Sequence, residues 1–328
     1  MDRRVVLITL GSSLLAVRRA AAQTPAPPPK VAVLSFGFAG GQISREGQAA
    51  FETGLRELGW TTGSTIAVEY RWADNNHEQL ARHVAELVRS VPDVIVVRTG
   101  VAQQAVTRAT TTIPIVLGGA TDPVAQGFVQ SLARPGGNVT GLSLQLAELL
   151  PKRIELLKEA VPKLQRVALL AGRTTSVPLT PGVDRAARVL GLEVQHVTIS
   201  TAEELPQAFS TISRGQSGAV VVHADGGGPL DREITRVVSL AATHRLPAIY
   251  AWRQHVEAGG LMAFAVDIAD IQRQTARFVD KILKGTKPAD VPVEQPTRFE
   301  LVINLSTARN LALTIPQSLL QRADHLIK

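Results

Sequence analysis

Short runs of Val, Ile, Leu and Ala alternate with amphipathic segments of helical period along most of this chain. In segment 77–90, for example, Leu80, Val84 and Leu87 recur at the spacing of one helix face. Segment 92–100 (PDVIVVRTG) contains an unbroken apolar run, which is typical of a strand covered on both faces. Strands that alternate with helices form parallel sheets with right-handed crossovers. The pattern therefore predicts an α/β fold.

The predicted strands fall into two series, one in each half of the chain. Each series has about five strands, and together they exceed one compact sheet of usual size. We therefore expect two Rossmann-like, doubly wound lobes. The last part of the first series predicts a helix over 122–137, and residues 316–328 are expected to form a surface tail.

The N-terminus has the composition of a secretory signal peptide over residues 1–22. A basic start at residues 3–4 precedes an apolar run over 5–17, and small residues at 20–22 suit a signal peptidase. Residues 23–30 then form a proline-rich spacer. We expect the rest of the chain to work in the periplasm. A twin-arginine export route and an uncleaved membrane anchor are the alternatives at this end of the chain.

Composition excludes several classes of protein. The chain contains no cysteine, so disulfides, thiolate metal sites, cysteine nucleophiles and a lipid-bearing cysteine are all excluded. The net charge of +7 becomes +4 without residues 1–22, which carry four arginines and one aspartate. The remaining basic residues are scattered among acidic ones, so no nucleic-acid partner is expected.

Searches for catalytic motifs find little. The seven histidines lack metal-ligand spacing, and both the G-x-S-x-G elbow and the G-x-x-x-x-G-K-[ST] phosphate loop are absent from the sequence. His223 and Asp225 are the nearest approach to an acid–base pair. We therefore expect no enzymatic activity, no metal and no cofactor.

Candidate ligand-binding residues follow the predicted strands, because doubly wound sheets bind ligands beyond the carboxyl ends of their strands. Hydroxyls and backbone amides there suit a carboxylate or another anion. Arg173 could bind a ligand carboxylate, and Asp225 or Asp267 a ligand ammonium group. Tyr250 and Trp252, two apart on one predicted strand, are expected to face the same side and stack on the ligand. The candidates are Ser35, Phe36, Gly37, Thr99, Gly100, Thr121, Asp122, Ser143, Arg173, Asp225, Tyr250 and Trp252.

Each of these residues also fits a purely structural role. Ser35, Thr99 and Thr121 could cap helices, and the glycines could permit tight turns. The aromatic residues could pack in the core, and the charged ones could lie in exposed loops or turns. The sequence alone leaves both interpretations open for each position.

Long stretches of the chain resemble the periplasmic substrate-binding proteins of ABC transporters, in the branch that includes tryptophan- and tyrosine-type members. The most specific of these stretches are 131–141 (SLARPGGNVTG) and 292–305 (PVEQPTRFELVINL). The resemblance spans nearly all of the chain after the spacer. It implies a type I periplasmic-binding fold, in which two lobes joined by a hinge enclose a small ligand. It also implies an ABC permease in the membrane as partner.

The resemblance implies where the chain divides. Chain crossings are expected near Gly141–Leu144, Phe264–Asp267 and Val291–Thr297. The N-terminal lobe would then comprise 31–142 plus 266–292, and the C-terminal lobe 143–265 plus 293–328. Three strand ends of the second lobe depart from the family pattern, reading AGRTTS, HADGGGP and AVD here. These departures affect the identity of the ligand and leave the fold unchanged.

The sequence thus predicts an extracytoplasmic receptor that captures a small amino-acid-like, aromatic or carboxylate solute. Two alternatives belong to other classes. One is a hydrolase or transferase built on two Rossmann-like lobes, which the missing catalytic motifs argue against. The other is the ligand-sensing domain of a signalling system, which would require a further module.

Overall fold

Two α/β lobes make up the protein, seen here in a computed structural model that describes residues 27–120, 122–144, 148–173 and 180–328. The predicted signal peptide and most of the spacer lie outside these residues. The predicted α/β fold with two lobes of parallel sheet is confirmed. None of the helices in the described part of the chain is long and apolar enough to cross a lipid bilayer.

Lobe 1 is built on a five-stranded parallel sheet with the strand order β2-β1-β3-β4-β5. Its central strand β3 is wholly buried, which explains the unbroken apolar sequence of that strand. The strands are β1 (Lys30–Ser35), β2 (Ala67–Trp72), β3 (Val94–Val97), β4 (Ile115–Ala120) and β5 (Val139–Ser143). The helices are α1 (Gln42–Glu57), α2 (His77–Ser90), α3 (Gly100–Ala109) and, from later in the chain, α10 (Ile268–Leu283).

Lobe 2 is built on a seven-stranded sheet with the order β12-β11-β10-β9-β8-β6-β7. β11 runs antiparallel to β10, and the other neighbouring strands are parallel. The strands are β6 (Arg166–Gly172), β7 (Glu193–Ile199), β8 (Ala219–Val222), β9 (Ala248–Tyr250), β10 (Met262–Ala265), β11 (Glu300–Asn304) and β12 (His325–Ile327). The α-helices are α4 (Leu149–Ala160), α5 (Thr180–Val189), α6 (Leu205–Arg214), α7 (Pro229–Arg232), α8 (Ile234–Thr243), α9 (Arg253–Glu257), α11 (Leu305–Asn310) and α12 (Gln317–Arg322).

Helix starts follow from local side-chain chemistry. Asn76 caps α2, because its side-chain oxygen accepts the N–H groups of Glu78 and Gln79. Asp267 caps α10 in the same way, accepting the N–H of Ala269 at 2.8 Å. Its carboxylate therefore has a structural role, which is one of the two roles that the sequence left open.

The chain passes between the sheets three times, after β5, after β10 and between α10 and β11. In the third passage, residues 291–294 run beside β5. The N–H of Ser143 donates to the Glu294 carbonyl at 2.9 Å, and the N–H of Glu294 donates to the Gly141 carbonyl at 3.0 Å. These bonds tie the returning chain to the edge of lobe 1.

Two predicted elements were wrong. Residues 122–137 form turns instead of a helix, because Gly127 and Gly136 adopt positive φ angles and Pro135 removes a backbone donor. The Asp122 side chain accepts the N–H of Ala125 at 2.9 Å, which closes the first turn.

The expected surface tail is also wrong, because residues 316–328 contain α12 and the edge strand β12. Leu319 of α12 is fully buried. The N–H of Asp324 donates to the Leu301 carbonyl at 2.9 Å, and β12 then pairs with β11. The tail therefore completes the second sheet.

The contact between α1 and α10 depends on a glycine. A Cβ atom at Gly54 would lie 3.0 Å from the Cβ of Ala276 and from the backbone of Arg273. We expect Gly54→Ala to lower the free energy of unfolding by about 1–2 kcal/mol, because overpacking outweighs the better helix propensity of alanine. Chemical denaturation measures this change.

The reverse substitution at an exposed position of α1, Ala49→Gly, calibrates the helix propensity alone. It should cost about 1 kcal/mol. Stabilisation of the protein by Gly54→Ala would contradict close packing of the two helices.

Candidate functional site

A cavity of about 130 Å³ lies between the lobes, at the carboxyl ends of the strands. Both lobes contribute to its walls, as does α10 through Gln272. Six predicted residues line it: Ser35, Phe36, Thr99, Gly100, Asp225 and Trp252. Further lining residues that the sequence did not single out as ligand contacts include Phe38, Trp72, Arg98, His223 and Asp231.

Thr99 holds the loop after β1 rather than capping a helix. Its hydroxyl accepts the N–H of Phe36 at 3.0 Å and makes no capping bond to α3. The ring of Phe36 is packed into the core of lobe 1 and contacts the ring of His77, with 4.8 Å between the centroids. The hydrogen bond between Phe36 and Thr99 joins the carboxyl ends of β1 and β3 beside the cavity.

Several predicted residues do not line the cavity. Asp122 closes a turn, and Ser143 is buried beside the returning chain at Glu294. Arg173 is exposed and donates from Nε to the Ser200 hydroxyl at 2.8 Å. Thr121 lies outside the described residues.

Tyr250 and Trp252 do not share a face, contrary to the prediction. β9 ends at Tyr250, so the strand alternation that would have aligned the two rings stops before Trp252. Tyr250 is buried in lobe 2 and stacks on His255, with 4.8 Å between the ring centroids. Trp252 precedes α9 and reaches the cavity.

Arg98, which directly follows β3, places a cation in the wall of lobe 1. Its guanidinium carbon lies 5.7 Å from the ring centroid of Trp72, and its Nη1 is buried without a hydrogen-bond partner. No acidic side chain forms an ion pair with it in the described part of the chain. Burial lowers the pKa of Arg98 to about 10, so it stays charged at neutral pH.

The wall of lobe 2 carries two adjacent carboxyl groups. Asp225 accepts the N–H of Leu230 at 2.8 Å and that of Asp231 at 3.1 Å. Asp231 accepts the N–H of Gly227 at 2.9 Å and the indole N–H of Trp252 at 2.8 Å. Both carboxyl groups are buried, and no lysine or arginine pairs with either one among the described residues.

The pKa values of the two acids follow from this arrangement. Burial, and then the charge of Asp231, raise the pKa of Asp225 well above its usual range. Burial also raises the pKa of Asp231, against the hydrogen bonds from Gly227 and Trp252 that favour its ionised form. Two carboxyl groups so placed cannot both ionise easily.

His223 lies in the same wall, beside a second buried cation. Arg153 of α4 donates from Nε to the Phe264 carbonyl at 2.9 Å and is fully inaccessible to solvent. Burial, and then the charge of Arg153, lower the pKa of His223 to about 3. His223 is therefore neutral at physiological pH and is not poised for general acid–base catalysis with Asp225.

The lobes touch directly at the mouth of the cavity. Asn75 of lobe 1 donates from Nδ2 to the Gly227 carbonyl of lobe 2 at 3.3 Å, and the guanidinium carbon of Arg232 lies 4.3 Å from the centroid of the Phe38 ring. Gln254 donates to Glu46 at 2.5 Å across the same gap. These contacts show the two lobes closed over the cavity.

The chemistry of the walls is that of binding. Opposite charges on the two walls, hydroxyls and aromatic rings converge on one enclosed space, as in small-molecule sites. Within the described ranges no group of three His, Cys, Asp or Glu side chains could hold a metal ion.

A profile of the ABC transporter substrate binding protein family matches residues 31–327, which is nearly the whole chain. The protein belongs to this family. The expected role as the solute receptor of an ABC transporter is thereby confirmed, and so is the resemblance that predicted it.

Relatives of this substrate-binding protein include a tyrosine-binding protein of Clostridioides difficile (strain R20291). The two are 28% identical over 264 residues, which cover 80% of this chain and 75% of the relative. Among solved structures, an ABC domain in complex with L-Trp from Streptococcus pneumoniae is 26% identical, with a TM-score of 0.83 over 92% of this chain and 100% of that one. A conserved domain protein from Vibrio cholerae is 27% identical, with a TM-score of 0.83 over 91% of this chain and 99% of that one.

Two features of the sequence of this substrate-binding protein could have indicated Arg98 and Asp231, which were not among the predicted ligand-binding residues. Arg98 is the first residue after an apolar strand, at a carboxyl end where ligands bind. Asp231 follows a glycine-rich turn and is the second acid after β8. Neither signal shows which way the side chain points.

Proposed function

We propose that this protein captures a zwitterionic amino acid with an aromatic side chain between its lobes and delivers it intact to an ABC permease. One observation carries the proposal: the cavity has an unpaired cation in the wall of lobe 1 and an unpaired acid pair in the wall of lobe 2. An α-amino acid carries the two complementary charges on groups attached to the same carbon atom. The names of two relatives, a tyrosine-binding protein and a complex with L-Trp, support the same class of ligand.

Each group of the ligand has a partner. Arg98 binds the α-carboxylate, since its guanidinium offers a bidentate fork. Asp225 and Asp231 bind the ammonium group. Trp72 of lobe 1 and Trp252 of lobe 2 supply aromatic surfaces for the side chain of the ligand, and the indole N–H of Trp252 is already used by Asp231.

Lobe movement completes the mechanism. We place the hinge in the three chain crossings, with 31–142 plus 266–292 in one lobe and 143–265 plus 293–328 in the other. The ligand enters when the lobes are apart, and the contacts of Asn75 and Gln254 form as they close. The permease then recognises the closed form at the periplasmic face of the membrane, where the predicted signal peptide sends the protein.

The proposal is tested by calorimetry with L-tyrosine, L-tryptophan and L-phenylalanine. At least one should bind with a micromolar or tighter Kd, that is, about −8 kcal/mol or better. Analogues that lack one charge, tyramine and 3-(4-hydroxyphenyl)propionate, should bind about a hundredfold more weakly, because each leaves a buried charge unpaired.

Recovery of the bound amino acid by chromatography checks that it is released unchanged, as a receptor requires and an enzyme does not. The absence of heat and of any rise in melting temperature with all three amino acids would refute the proposed ligand class.

A further inference from the structure

In the described part of the chain, no cation forms an ion pair with the Asp225–Asp231 pair (the two carboxyl groups after β8). Asp225 is 8% exposed and Asp231 is 6% exposed. Asp225 accepts the backbone N–H of Asp231 itself, and four N–H donors from residues 227, 230, 231 and 252 surround the two carboxyl groups. Because two neighbouring buried carboxylates repel each other, a second negative charge at this site needs either a proton or a cation.

The titratable side chains on α7 and α9 do not provide a positive charge that pairs with Asp225 or Asp231. Arg232 of α7 also lines the cavity, but it pairs with Glu233, its guanidinium covers the Phe38 ring, and it forms no ion pair with either acid. His255 of α9 contacts the Leu230 carbonyl, and burial lowers its pKa to about 4, so it is neutral.

The groups on the remaining walls are also unsuited to this role. His223, two residues before Asp225, is neutral as described above. Arg98 belongs to the opposite wall, in lobe 1, and forms no ion pair with either acid. Among the residues that the structure describes, no fixed positive charge therefore pairs with the two carboxyl groups.

We propose that Asp225 and Asp231 determine specificity by exchanging a proton for the ammonium group of the ligand. Without ligand the two carboxyl groups hold one proton between them, and they release it when the ammonium group binds. This inference rests on the proposed function. Before binding, the pair has a charge of −1. After binding, the pair has a charge of −2, the ammonium contributes +1 and the released proton passes to solvent, so the charge of the site is unchanged.

The exchange also satisfies the hydrogen bonds. A proton shared by the two carboxyl groups occupies oxygen lone pairs that an ammonium group needs, since ammonium has three N–H donors and accepts none. Its release frees those oxygens for N–H···O bonds. A carboxylate without an ammonium group leaves the shared proton in place, which selects for amino acids at neutral pH.

Calorimetry in phosphate and in Tris at pH 7 tests the exchange, because these buffers differ strongly in ionisation enthalpy. We expect about one proton to be released per L-tyrosine or L-tryptophan bound, and none with 3-(4-hydroxyphenyl)propionate, the matched ligand without an ammonium group. Asp225→Asn, which keeps one acceptor oxygen but removes one acid, should abolish the release while a thermal melt shows that the variant is folded.

A second measurement uses only the unaltered protein. Between pH 5 and 7 the affinity for L-tyrosine should rise about tenfold per pH unit, because a proton must leave the site for the ligand to bind. The charges of the free amino acid do not change over this range.

The outcomes separate the two proposals. Equal binding enthalpies in the two buffers, together with tight amino-acid binding at a constant affinity from pH 5 to 7, would overturn the exchange and leave the proposed function intact. Proton release that persists in Asp225→Asn would also overturn it. Failure of every amino acid to bind would remove both.

Discussion

Replacing Arg98 with methionine is expected to lower the affinity for L-tyrosine or L-tryptophan by about a hundredfold. Truncating one partner of a buried charge pair costs about 2–5 kcal/mol, and each 1.4 kcal/mol is a factor of ten. Titration calorimetry on the purified variant measures the loss. The free energy of unfolding of the ligand-free protein should stay the same or rise, because the change removes a buried charge that has no partner.

Arg173→Met is the matched control for this experiment. Arg173 follows β6 as Arg98 follows β3, but it is exposed and outside the cavity. Its replacement should leave the affinity within twofold of the original. If Arg98→Met bound amino acids as tightly as Arg173→Met, the assignment of the carboxylate site would be wrong.

Replacing Gly37 with alanine is expected to weaken binding by about thirtyfold without lowering the stability of the ligand-free protein. A Cβ atom there would lie 3.0 Å from the Cα of Gly227 and 3.1 Å from its carbonyl oxygen. The obstacle is backbone, so no side chain can rotate away. Full closure becomes strained, whereas a form with separated lobes is unaffected.

Small-angle scattering and calorimetry together measure this effect. With saturating L-tyrosine, the radius of gyration of Gly37→Ala should stay nearer to its ligand-free value than that of the unaltered protein. Gly40→Ala serves as control, because a Cβ at Gly40 meets no atom within 4 Å. Identical closure and affinity in the two variants would show that the Gly37–Gly227 contact does not limit closure.

The fold could be predicted from the sequence because the buried faces of helices and strands place apolar residues at regular spacings. The unbroken apolar run of β3 and the helical spacing in α2 both record which faces are covered. The errors lie in segments whose structure does not follow from the spacing of apolar residues. Residues 122–137 have apolar spacing, but glycine and proline decide their backbone, and the short β12 is a strand only because β11 offers it an edge.

The sequence identified only those cavity-lining residues that directly follow predicted strands. Ser35, Thr99, Asp225 and Trp252 were found because parallel strands bring their carboxyl ends together. The contrast between Arg98 and Arg173 shows the limit. Both follow strands, but Arg98 is covered by Trp72 and by Gly47 of α1, which are distant in sequence. Local sequence does not show which of the two arginines lines the cavity.

The close approach of the Gly37 and Gly227 backbones bears on how the ligand preference of such receptors can change. The backbones of Gly37 and Gly227 lie close enough that a Cβ atom at either position would be about 3.0 Å from the Cα of the other. We expect this main-chain contact to limit closure, so that the extent of closure does not depend on which side chains line the cavity. Substitutions at the cavity walls are then expected to change which ligand binds while the closed arrangement of the two lobes stays the same.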